Sequence, residues 1–116
     1  MKKSRISQTE RDEIMSRFSF TTQFSDLSKC DHVVEVVNED FSLKLKILQT
    51  LDEIVPPSAT LSSNTSSISI TKLAAILKNP ARFSGTHFMN PVPKMKIVEL
   101  IRGLQTSDTT YNRAKA

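Results

Sequence analysis

Glycine is nearly missing from this chain: only Gly85 and Gly103 occur in 116 residues. Phosphate loops of the G-x-G-x-x-G or G-x-x-x-x-G-K type need two glycines a few residues apart. These two are too distant, so the sequence holds no glycine-rich nucleotide loop. Cysteine is scarcer still. Cys30 alone rules out an internal disulfide and any multi-cysteine zinc site, and it is compatible with a reducing compartment. No metal site is expected. No apolar run approaches the roughly 18 residues of a membrane helix. Ile6 to Glu10 is too polar for the apolar core of a signal peptide. Neither a membrane partner nor secretion is therefore expected.

One-sided charge is lacking too. Lys and Arg outnumber Asp and Glu by 16 to 12, a net charge of +4. Apart from Lys2, Lys3 and Arg5 the basic residues are scattered. Nucleic-acid binding calls for a basic stripe or a named motif, and neither is present, so no nucleic-acid partner is expected. A mild basic excess suits a phosphorylated small ligand. The length allows one domain at most, against roughly 100–200 residues per domain. Hydrophobic residues at 38% and charged residues at 24% permit a core and speak against wholesale disorder.

The patterns that are present alternate between two periods. Residues 1–7 read as a frayed start. Ser7 to Phe18 reads as a helix, with Ser7 and Glu10 spaced as a capping box. Phe18 to Gln23 reads as a brief strand, and Phe24 to Lys29 as a loop or one helical turn. The β-branched run HVVEVV, His32 to Val37, reads as a strand covered on both faces. Ser42 to Val55 has helical period, with Leu43, Ile47, Leu51 and Ile54 on one stripe, and Pro56 and Pro57 stop it. Thr60 to Ser63 is a short strand, Asn64 to Ser67 a polar turn, and a helix opening at Ser69 or Thr71 runs through Leu77. Arg82 to His87 and Ile97 to Ile101 are strands about the rigid turn NPVP. Thr106 or Ser107 caps a last helix. The order implies an α/β fold with a largely parallel sheet and a final strand running the other way.

In open α/β sheets ligands bind beyond the carboxyl ends of the strands. Three strands here end in polar clusters: Asn38-Glu39-Asp40, Asn64-Thr65-Ser66-Ser67, and His87 with Asn90. All three belong on one rim. If the chain reverses about Pro93, His87 lies across from Glu99, and Glu99 sits among Ile97, Val98, Leu100 and Ile101. A buried carboxylate needs a partner, and a carboxylate-oriented imidazole is a general base near neutral pH. Three readings stay open at this point: a catalytic pair, a structural His–Glu pair, or an edge strand with Glu99 in water. His32 reads as a solvated strand start, and Cys30 as a half-buried apolar residue. Met15, Met89 and Met95 read as packing. Ser66 lacks the G-x-S-x-G elbow of a serine nucleophile.

The stretches VVEVVNEDFSLKLKIL, LSSNTSSISITKLA, HFMNPVPKMKIVELIRG and TSDTTYNRA, in this order, resemble the 3-hydroxyacyl-CoA dehydrogenase family. The similarity runs from about Asp31 to Thr110, and more loosely back to Arg5. SNTSS and HF-x-NPVP-x-MK-x-VE are the specific motifs. The resemblance implies NAD-dependent oxidation of an L-3-hydroxyacyl-CoA to the 3-ketoacyl-CoA, in fatty-acid β-oxidation or butanoate metabolism. By resemblance, His87 is the general base and Glu99 orients and charges it. Ser66 contacts the substrate hydroxyl and the nicotinamide region, and Asn90 helps to hold substrate carbonyl and cofactor. Glu39 and Lys44 lie at the cofactor site, and Asn64 shapes the same turn. Lys94 stands where the family often has an apolar residue.

The resemblance also implies a partial Rossmann domain: a segment over 1–30 that is helical or linker, and over 31–116 the NAD-binding domain without its glycine-rich loop. The family's helical domain, through which its members form homodimers, would follow. The expected compartment is intracellular, cytoplasmic in a prokaryote and mitochondrial or peroxisomal in a eukaryote. The competing class is a non-catalytic remnant, or a small module that binds an acyl-CoA or a partner chain.

Overall fold

A computed structural model describes residues 6–116. Lys2, Lys3 and Arg5, with most of the irregular start expected over 1–7, lie outside the described residues. The first helix, α1 (Gln8–Met15), begins as the spacing predicts. Ser7 Oγ accepts from the Glu10 backbone N–H at 3.2 Å, and Glu10 Oε2 accepts from the Ser7 N–H at 2.7 Å. None of its residues is buried. The strand expected over Phe18–Gln23 does not form. A strand exists only where its backbone groups find a partner strand, and the four-stranded sheet pairs without this segment. Instead the Phe18 and Phe20 rings stack with centroids 6.3 Å apart. A 3₁₀ helix, Phe24–Lys29, follows, and its Leu27 packs against the core.

The sheet comprises β1 (His32–Glu35), β2 (Thr60–Ser63), β3 (Phe83–Phe88) and β4 (Val98–Ile101). Spatial order equals chain order. β1, β2 and β3 are parallel, and β4 is antiparallel to β3. The expectation that β1 is covered on both faces does not hold. It is an edge strand of four residues, and Val36 just beyond it is 64% exposed.

Helix α2 (Phe41–Ile54) crosses from β1 to β2, capped by Asp40, whose Oδ1 accepts from the Leu43 N–H at 2.7 Å. Its buried stripe is Lys44, Leu48, Leu51 and Asp52. That is rotated from the stripe drawn through Leu43, Ile47, Leu51 and Ile54, and Leu43 is exposed. The cause is two buried ion pairs, Lys44 with Glu35 and Asp52 with Arg82. Each brings a charged residue of α2 inward, which apolar periodicity alone does not register. Helix α3 (Ile70–Ala74) is capped by Ser69, and α4 (Asp108–Lys115) by Ser107. Leu48, Leu51, Leu61, Leu73 and Phe83 form the centre of the core. Gly85 has a steric reason. A Cβ there would stand 2.9 Å from both Ile101 Cβ and Ile70 Cδ1, so only glycine lets β3, β4 and α3 approach this closely.

Candidate functional site

Parallel pairing puts the carboxyl ends of β1, β2 and β3 on one rim, where hydrogen bonds join the expected polar clusters. Glu39 Oε2 accepts from Thr65 Oγ1 at 2.7 Å, from Ser67 Oγ at 3.2 Å and from the Ser66 N–H at 3.3 Å. The Thr65 hydroxyl first, then the Lys44 ammonium and the Ser67 hydroxyl, hold the Glu39 carboxyl below its ordinary value against partial desolvation. Asn64 Oδ1 accepts from the Phe88 N–H at 2.8 Å. The turn after β2 is thus fixed from both sides.

His87 and Glu99 are register partners of the antiparallel pair, and His87 Nδ1 lies 2.9 Å from Glu99 Oε2. A carboxylate only accepts, so Nδ1 carries the proton and Nε2 is left to accept one. Of the surroundings left open for Glu99, the buried one does not hold and the edge strand does. Its side chain is 56% exposed, that of His87 21%. β4 is the outer strand, and Ile97 and Val98 beside Glu99 are exposed as well. An apolar run on an edge strand does not by itself bury the acid within it.

Ser66, His87 and Glu99 line one open cavity of about 330 Å³, together with Ile68, Ile101 and Arg102. Asn64 and Asn90 do not line it. They line a second pocket of about 370 Å³ with Val36, Phe88 and Val92. Consecutive residues of a strand point to opposite faces, and the ends of β3 and of the turn after β2 contribute to both pockets: His87, Thr65, Ser66 and Ser67 to the first, Phe88 and Asn64 to the second. Lys44 is in neither. Its side chain is 1% exposed, and its ammonium lies 2.7 Å from Glu35 Oε1, 2.9 Å from the Val37 carbonyl and 3.3 Å from Glu39 Oε1. Two residues with parts here are not singled out from the sequence, Glu35 and Arg102, while Thr65 is named only as a member of its polar cluster. An acid within an apolar strand, nine residues before a lysine on the next helix, is the pattern that marks the first of them.

The second pocket fits one end of a dinucleotide. Its apolar walls suit the faces of a nicotinamide ring, and the Asn64 and Asn90 amides suit a carboxamide. The pyrophosphate fits less well. The N-terminus of α2, which starts on this rim, is already capped by the Asp40 carboxylate, which repels an anion.

The chain matches the family described as 3-hydroxyacyl-CoA dehydrogenase, NAD binding domain, over residues 1–116. A probable 3-hydroxybutyryl-CoA dehydrogenase of Deinococcus radiodurans is 50% identical over 99 residues, 85% of this chain and 36% of that protein. A probable 3-hydroxybutyryl-CoA dehydrogenase of Bacillus subtilis is 44% identical over 108 residues, 93% of this chain and 38% of that one. The crystal structure of (S)-3-hydroxybutyryl-CoA dehydrogenase from Ralstonia eutropha superimposes with a TM-score of 0.92 at 47% identity, covering 95% of this chain and 39% of that one. The chain thus spans under two fifths of the length of these relatives.

Proposed function

The chain belongs to the 3-hydroxyacyl-CoA dehydrogenase family, within its NAD-binding domain, and on that premise we propose that it carries the acid–base part of an NAD-dependent oxidation of a 3-hydroxyacyl-CoA to the 3-ketoacyl-CoA. The similarity to 3-hydroxybutyryl-CoA dehydrogenases supports a short acyl chain as the substrate class. The observation that carries the proposal is the 2.9 Å contact between His87 and Glu99 on the wall of a cavity shared with Ser66.

NAD, when bound, supplies the hydride acceptor for carbon 3. The residues of this chain do the rest. Glu99 holds the proton on Nδ1 and aims Nε2 into the cavity, so that His87 takes the proton of the 3-hydroxyl. The imidazolium formed in that step has its counter-charge beside it. Ser66 holds the same hydroxyl oxygen, and its turn is fixed by Glu39 and by the Asn64–Phe88 bond. Asn64 and Asn90 bind the carboxamide end of the cofactor. Glu39 and Lys44 act at the cofactor side by fixing the rim. In this scheme residues 31–116 form the catalytic unit and 1–30 a helical or linker segment, of which Leu27 packs against the core. A non-catalytic binding module has no use for an oriented imidazole, and that alternative is not carried further.

A segment exchange tests the reading. The matching segment of the Ralstonia eutropha enzyme is replaced by this chain, and oxidation of NADH by acetoacetyl-CoA is followed. The expected result is turnover that His87→Asn lowers by about 10²–10⁴-fold, the usual worth of general acid–base catalysis. A folded chimera without turnover, or one indifferent to His87→Asn, would sink the proposal.

A further inference from the structure

Glu35 has no part in the chemistry above, yet its side chain is fully buried at the end of β1. Both of its oxygens are used. Oε1 accepts from Lys44 Nζ and from the Val37 N–H, each at 2.7 Å, and Oε2 accepts from Ser63 Oγ at 2.6 Å. A carboxylate so enclosed needs its charge matched and its lone pairs filled. Lys44 matches the charge, and is itself directed by the Val37 carbonyl at 2.9 Å.

One ammonium here faces two carboxylates. Glu35 is the buried one, and Glu39, 3.3 Å from Nζ and 42% exposed, is the outer one. Lys44 draws Oε1 of Glu39 inward, which leaves Oε2 turned to the loop after β2. Oε2 accepts from the Ser66 backbone N–H and from the Thr65 and Ser67 hydroxyls. The Ser66 side chain is then presented to the cavity that holds His87. The path from Glu35 to Ser66 is continuous in charge and hydrogen bonds, and β1, α2 and the 64–67 turn meet in it.

We infer that Glu35 is a positioning residue for Ser66, acting through Lys44 and Glu39. The inference deepens the dehydrogenase reading and rests on it for what Ser66 does, but not for how the turn is held. A Glu35 that acts only through the end of β2, where it accepts from Ser63 Oγ, would shift Ser66 by the same amount with and without the Glu39 carboxylate, and Glu35→Gln added to Glu39→Gln would then shift it further. A Glu35 that positions Ser66 through Glu39 adds no further shift once that carboxylate is gone.

Proton–nitrogen correlation spectra of the full chain separate the two. Glu35→Gln is expected to shift the amide resonances of Ser66 and Ser67, and Glu39→Gln to shift the same pair. Val55→Ala, a core truncation at the far end of α2, is expected to leave both in place. If Glu35→Gln does not fold, the paired change Glu35→Gln with Lys44→Met carries the test. It removes both buried charges together, a replacement that buried ion pairs tolerate, and it must shift the same two resonances. A folded variant of either kind with the Ser66 amide at its wild-type position overturns the inference, as does an equal shift in Val55→Ala or a further shift when Glu35→Gln is added to Glu39→Gln. The spectra need no turnover. An inactive chain would therefore leave this result readable, and an unmoved Ser66 amide would leave the dehydrogenase reading standing.

Discussion

The side chain of Asn64 accepts the backbone N–H of Phe88 at 2.8 Å, so the turn after β2 is tied to the last residue of β3. Asn64→Ala removes the acceptor and leaves a half-buried N–H in search of water. The expected cost is about 0.5–1.5 kcal/mol, the usual net worth of one hydrogen bond, read as a lower urea midpoint. An unchanged midpoint would mean that water replaces the amide without loss.

His87 and Glu99 act as a unit in the proposed reaction, so their substitutions should not add. In the segment exchange described above, Glu99→Gln is expected to lower kcat with little change in cofactor affinity. The double variant with His87→Asn should be scarcely slower than His87→Asn alone. Additive losses in kcat would separate the two residues.

NAD affinity of the 116-residue chain itself is expected to be weak. The chain contains no glycine-rich loop, and the Asp40 carboxylate occupies the start of α2 on the rim. Calorimetric titration should give a dissociation constant well above about 1 µM. A micromolar or tighter constant would show that the nicotinamide end carries more of the binding than the pocket suggests.

His32 links stability to pH. Its Nδ1 meets Thr60 Oγ1 at 2.6 Å and its Nε2 meets Ser62 Oγ at 3.3 Å. Burial first, and the Arg113 charge second, push its pKa below the ordinary value of 6.5. The unfolded chain therefore binds a proton more readily than the folded one in the window below that value. Stability should be full above it and should fall as pH drops towards the lowered pKa. Urea midpoints taken between about pH 7.5 and 5.5, around the range in which imidazole titrates, should decline, and His32→Gln should flatten the decline. An equal slope in the variant would assign the effect elsewhere.

At the opposite end of the sheet from the rim, Arg82 reaches into the base of the fold. Its guanidinium donates to the Asp52 carboxylate and to the Pro56, Ala59 and Asp52 carbonyls. Both side chains are over nine tenths buried. Arg82→Met leaves the Asp52 charge buried and unmatched, and should cost roughly 3–5 kcal/mol. Adding Asp52→Asn should recover part of that loss. Urea unfolding of both variants checks it.

The sheet was legible because its signals are local. HVVEVV, the proline pair after α2 and the NPVP turn mark strand, stop and reversal within a few residues each, and the His87–Glu99 register follows from the turn. What escaped depends on contacts distant in sequence. The tilt of α2 is set by Glu35 and Arg82, which lie on other elements. Phe18 to Gln23 has the composition of a strand, but its state depends on a neighbour that the segment cannot name. The exposure of Glu99 follows from which strand ends the sheet, a property of topology and not of the IVELI run. The motifs SNTSS and HFMNPVP pointed to Asn64, Ser66, His87 and Asn90 as candidates, while the enclosure of Lys44 depends on Glu35 of β1, another element.

The strand order has a consequence for how the chain folds. Because β1, β2, β3 and β4 stand side by side in chain order, no strand has to be inserted between two that have already paired. These four strands can be laid down one at a time in chain order, each newcomer docking on the one just before it. The separation in sequence that must be closed at each step is only one helix or one turn, which keeps contact order low for a largely parallel sheet. In the 116-residue chain by itself an outermost strand can then open and close without unthreading the rest, so its native-state hydrogen exchange should be fastest in β1 and β4 and slowest in β2 and β3.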